Sequence, residues 1–250
     1  MIRVRSGIPL LVAALCVPPA GAGAGREWTL LVVREQRDTL TQGAEDRARL
    51  ELLLRLATPD PLGPRWSVEV TLLSATLETA GPSGWSTLHA AERDRGAALA
   101  AATWRPAAGA WADVLDRTPA ALRELVPHEV VARALEALAV RSGPALDTRR
   151  APTPAGTLST VCRKRIEPRD GGARWSGTGE LAVLLGDGTE QREIGSGSWT
   201  MEARRGDAPP GWVSSSRSST RAEIALGGRS GTLVTDFTIE LRGPVEHLSP

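Results

Sequence analysis

Several short stretches of this chain hold residues that could do chemistry. His128-Glu129-Val130-Val131-Ala132 comes nearest to a catalytic motif. A zinc hydrolase of the H-E-x-x-H kind needs a second imidazole one helical turn on, so that both rings share the metal. Ala132 stands there and cannot ligate, and His89 and His247 are remote in sequence. His128 and Glu129 instead suit the first turn of a helix beginning at Pro127, where a carboxylate complements the helix dipole. Gly195-Ser196-Gly197-Ser198 lacks the G-x-S-x-G spacing of a nucleophile elbow. Arg163-Lys164-Arg165 carries the sole lysine, far from any glycine-rich phosphate loop. Asp187, Thr189 and Glu190 lack calcium-loop spacing and read as a turn. No catalytic residue, no metal ligand and no cofactor site is expected.

What remains is a set of tryptophans. There are 8 Trp but one Phe, Phe237, and no Tyr or Asn. Trp175, Trp199 and Trp212 flank successive turns in the C-terminal half, where an indole can line the mouth of a ligand pocket. The commoner use of such a side chain is to fill core. These three are the candidate ligand contacts. Cys162, alone once the leader is removed, is expected to be a small buried apolar residue with no disulfide.

The elements that would position these residues are mostly strands. In Arg47 to Ala57, Leu50, Leu52, Leu54 and Leu56 alternate with Arg49, Glu51 and Arg55. The residue types favour helix, but a period of two demands a strand with one buried face. From Arg65 to Glu78 the apolar parity changes at Leu72-Leu73, which predicts a β-bulge. Thr103 to Leu115 reads as a hairpin around Pro106 to Gly109. The helical insertion lies at about 118–140: Thr118-Pro119 caps one helix and Pro127 starts a second. Arg149 to Pro154 reads as a linker. Five further strands follow, with Gly186-Asp187-Gly188 as a hairpin signal. The strand Trp212 to Leu226 is long and serine-rich, and its edge could pair with another protein. The fold class is mainly β with a helical insertion (α+β): antiparallel, curved or bulged sheet, with helices over one face. The boundaries are 1–24 leader, 25–145 N-terminal β half ending in helices, 146–156 linker and 157–250 C-terminal β half.

The leader has Arg3 and Arg5, an apolar run from Ile8 to Val17, and the small-residue stretch Ala20 to Ala24. This is the pattern of a secretory signal peptide, too short to span a bilayer. Cys16 raises the alternative of a lipid anchor, but Leu15 stands where such processing wants a small residue. Release into the periplasm or beyond the cell is expected, with no transmembrane segment in the mature chain. Thirty basic and 29 acidic residues leave a formal charge of +1, which argues against nucleic acid as a partner. Nearly all the positive charge is Arg, and the missing residue types have A/T-rich codons, the vocabulary of a GC-rich bacterial genome.

The hairpin from Thr103 to Leu115, the helices from Pro119 to Val140 and the closing strands from Ser198 to Leu241 give a layout. It resembles that of secreted bacterial proteins of unknown function whose curved antiparallel sheets are of the lipoprotein-carrier half-barrel type. That resemblance implies an acyl chain held on the concave face under a helical cover. It brings no functional residue with it. The sequence therefore points to an exported, non-enzymatic protein that binds an apolar small molecule or an envelope protein. The alternatives are an assembly component that pairs through a sheet edge and an exported hydrolase.

Overall fold

A computed structural model describes residues 26–39, 46–58, 68–81, 84–89, 102–104, 122, 126, 128–153, 156–187, 190–209 and 211–243. The leader with Cys16, the second arm of the Thr103 to Leu115 hairpin and His247 lie outside them.

One mainly antiparallel-paired sheet accounts for nearly all of the rest. Its N-terminal strands are β1 (Arg26–Asp38), β2 (Asp46–Thr58), β3 (Glu69–Gly81), β4 (Gly84–His89) and the short β5 (Thr103–Trp104). Helix α1 (His128–Leu138) follows. Six strands complete the chain: β6 (Gly143–Thr153), β7 (Gly156–Arg169), β8 (Arg174–Asp187), β9 (Glu190–Arg204), β10 (Ser215–Leu226) and β11 (Arg229–Arg242). The order across the open sheet is β4-β3-β2-β1-β11-β10-β9-β8-β7-β6, with β5 paired to β3. Each meander is local, and the first and last strands join them: Val32 lies opposite Ile239 and Arg34 opposite Phe237. The two β halves are thus one sheet.

The period-two leucines explain β2. Leu50, Leu52, Leu54 and Leu56 are all fully buried, while Arg49, Glu51 and Arg55 face water. Spacing prevails over helix propensity because a strand puts all four leucines on one face. The parity change in β3 is a bulge. Leu53 pairs with Ser74 and Leu54 with Leu72, so Leu73 is the extra residue. Leu73 is exposed, and Ala75 and Leu77 return to the inner face. A second register shift separates Val183 from Leu184, opposite Gly195 and Glu193. Such shifts bend the strands and add twist.

The inner face is the one that carries α1. Val130, Val131, Ala134, Leu135 and Leu138 form its buried stripe. The helix packs over β10 and β11, and Val213 N–H donates to the Leu138 carbonyl at 2.9 Å. Trp212, just before β10, packs on Trp28 with ring centroids 5.7 Å apart.

Two expectations need correction, and one is met only in part. A pair of helices was expected at about 118–140, but α1 is the one α-helix among the described residues. Of the first segment only Leu122 and Val126 are described; both are buried and are joined by one helical-turn hydrogen bond of 2.7 Å. Residues 146–153 of the expected linker are strand, because β6 is a sheet edge with a single neighbour, β7. An edge strand needs few apolar residues, and Pro144 and Pro152 share one parity, so the N–H each lacks can lie on the open side. The serine-rich β10 is not an edge, being paired to β9 and to β11. Its inward Ser216 and Ser218 are buried, near the inner-face helix.

Candidate functional site

The inner face beside α1, over β6 to β10, is hollow. Registered pairs align Gly177 with Met201, Gly179 with Trp199, and Leu181 with Gly197. These glycines are a lane cleared for an indole. A Cβ on Gly177 would stand 2.8 Å from Cζ3 and Cη2 of Trp199, far inside van der Waals contact. A Cβ on Gly197 would meet the backbone of Arg221 across the ladder, so β9 and β10 approach closely on this face. Trp199 therefore lies down on its neighbouring strand.

Two cavities share this surface. The smaller, ≈170 Å³, has an apolar lining that includes Leu158, Leu181, Val183, Ala222, Ile224 and Leu233. The larger, ≈530 Å³, runs along the flank of α1 past Ala137, Val140, Ile166 and Met201. Its volume falls in the range of small-molecule sites. Arg133, Asp147, Arg149, Lys164 and Trp199 line both and form the waist between them.

That waist is charged. Lys164 Nζ donates to Asp147 Oδ2 at 2.7 Å and sits 4.8 Å above the Trp199 ring. Arg149 reaches the same carboxylate at 3.3 Å. Arg133, projecting from α1, stacks 4.6 Å from the Phe237 ring centroid and donates to Ser218 Oγ at 3.4 Å. Among the described residues it has no carboxylate partner. Burial, reinforced by the Arg149 charge and eased by Asp147, lowers its pKa to about 10. It remains protonated at neutral pH. Burial pushes the Glu136 carboxyl up against the pull of Arg149. Burial also works to raise Asp147, but the Lys164 hydrogen bond and the Arg149 charge outweigh it, and its pKa is lowered. The Cys162 thiol is raised by burial, so it is a neutral wall residue of the smaller cavity, in line with its buried apolar reading.

Asp147 makes stability depend on pH. Its folded pKa is below the unfolded value, so its stabilisation is present above about pH 4 and fades as pH falls through the lower folded value. Asp147→Asn should unfold at lower denaturant than wild type near neutral pH. The two midpoints should draw together in urea titrations as pH falls below the unfolded value of about 4 and through the lower folded one. A gap that stays constant with pH would remove the Lys164–Asp147–Arg149 cluster from the stability account.

The three candidate tryptophans separate. Trp199 lines both cavities, Trp212 is core beneath the end of α1, and Trp175 packs at the margin of the core. Arg163 and Arg165 face solvent, while Lys164 turns inward. A period of two along the strand puts Lys164 on the same face as Cys162. Arg133 was missed altogether: it sits at the border of the helix stripe, between Val131 and Ala134. Glu129, in the first turn of α1, pairs with Arg34 at 3.6 Å, and Ala132 is one turn on from His128 as the sequence states. Among the described residues no group of three His, Cys, Asp or Glu side chains is placed to hold a metal, and no helix is long and apolar enough to cross a membrane.

No protein-family model and no curated protein matches the sequence. Among solved structures, the chain is similar over 90% of its length to one described as lipid–protein interactions in lipovitellin, at 11% identity and a TM-score of 0.45. It spans 26% of that chain. DynF from the dynemicin biosynthesis pathway of Micromonospora chersina gives a TM-score of 0.24 at 5% identity, covering 89% of this chain and 82% of that one.

Proposed function

We propose that this is an exported, non-enzymatic binding protein that holds an apolar ligand against the inner face of its sheet. The observation that carries the reading is the apolar floor of the smaller cavity, continuous past Arg133 and Trp199 into the larger one. A sheet face this apolar is normally covered by other secondary structure. Here α1 lies over β10 and β11, and the two cavities open beside it. The signal-peptide pattern at residues 1–24 supports the address.

The test fills the floor. Ala222 is a small inward residue between Gly197 and Leu233. Ala222→Trp should place an indole in the smaller cavity and weaken binding of a neutral environment-sensitive dye, such as Nile red, at least tenfold. Circular dichroism should show the sheet intact. Dye binding unchanged in a folded Ala222→Trp protein would contradict the reading.

A further inference from the structure

We infer that the ligand is a single-chain amphiphile with an oxyanion head, carboxylate or phosphate, and that Arg133 receives the head while the chain lies on the apolar floor. The inference rests on the groove reading above and adds the head group.

The argument is one of charge and position. Arg133, Arg149 and Lys164 bring three cations to the waist, against Asp147 and Glu136. Asp147 is consumed internally by Lys164 and Arg149. Arg133 has only a neutral hydroxyl, Ser218, and the face of Phe237. Its guanidinium is drawn out of water with Asp147 and Glu136 near but, among the described residues, no carboxylate within ion-pair distance, an arrangement that proteins normally avoid. A guanidinium fork is matched in geometry to carboxylate and phosphate, and pairing them in a low-dielectric wall is strong. Thr160, Thr220 and Thr235 add hydroxyl donors around the same cavity. Beyond them the lining is Leu158, Leu181, Val183 and Ile224, which offer nothing to a polar ligand. A small free anion would leave that floor empty, and a neutral lipid would leave Arg133 unpaired. An amphiphile with an anionic head satisfies both.

The experiment compares three ten-carbon ligands, decanoate, decyl phosphate and decanol, by displacement of Nile red from the mature chain. The expected result is that at least one anion displaces the dye at a tenfold lower concentration than decanol. Arg133→Met should reduce that preference to within about twofold while decanol binding is kept. The tighter of the two anions names the head group. Equal displacement by all three would overturn the head-group inference and leave the groove reading standing. Displacement by none would defeat the groove reading itself. If Arg133→Met does not fold, Arg133→Gln serves, and an anion preference that survives in the folded variant would overturn the assignment to Arg133.

Discussion

Phe237→Ala is expected to lower the unfolding free energy by about 3–5 kcal/mol. Phe237 is the only phenylalanine and is buried at the centre of the joined sheet, between Arg34 on β1 and Ser218 on β10. Its removal opens a cavity beneath α1 and also withdraws the ring that carries the Arg133 guanidinium. Domains of this size have about 5–15 kcal/mol in total, so the loss is a large share. Phe237→Leu separates the two effects. It roughly conserves volume and should cost under about 1.5 kcal/mol for packing, plus about 0.5–2 kcal/mol for the lost cation–π contact. Denaturant midpoints at constant slope would check both. An alanine variant within about 1 kcal/mol of wild type would mean that β1, β11 and α1 do not share one core here.

Arg133→Met is expected to act in the opposite direction, making the empty protein more stable by about 1 kcal/mol. The burial that, with the Arg149 and Arg34 charges, lowers the arginine pKa to about 10 opposes folding of the charged form. At about 1.4 kcal/mol per pH unit that cost is on the order of 3–4 kcal/mol. Contact with Phe237 returns about 0.5–2 kcal/mol and the long Ser218 hydrogen bond about 1 kcal/mol, so burial wins by a small margin. Thermal unfolding without ligand would read it directly. The same substitution should abolish the head-group preference, so stability and binding would move apart, as expected where a site carries a cost for its function. A variant that is both less stable and unchanged in anion preference would make Arg133 a structural residue.

Much of the scaffold was legible in the spacing of apolar residues. Leu50 to Leu56 specify a strand despite their helix propensity, because only period two buries all four. The bulge at Leu73 was visible as a parity change, since one inserted residue moves every later side chain to the other face. What misled was context that local pattern does not hold. Arg149 to Pro154 looks like linker because an edge strand has little to bury. The serines of β10 look like an exposed edge, yet Ser216 and Ser218 lie in the middle of the sheet on the inner face that carries α1. The site was half legible. Trp199 and the inward parity of Lys164 follow from alternation, while the glycines opposite them become visible only with the strand register. Arg133 comes from a helix 31 residues earlier than Lys164, and nothing in either segment announces that they meet.

The central claim is that the inner face beside α1 holds an apolar chain. A decanoic acid carrying a terminal diazirine, irradiated with the folded mature protein and followed by peptide mass spectrometry, tests it most directly. The account predicts label on β7, β8 and β10, at Leu158, Leu181, Val183 or Ile224, and its loss in Ala222→Trp. Label confined to an outward residue such as Leu73, or label unaffected by the blocking tryptophan, would contradict it.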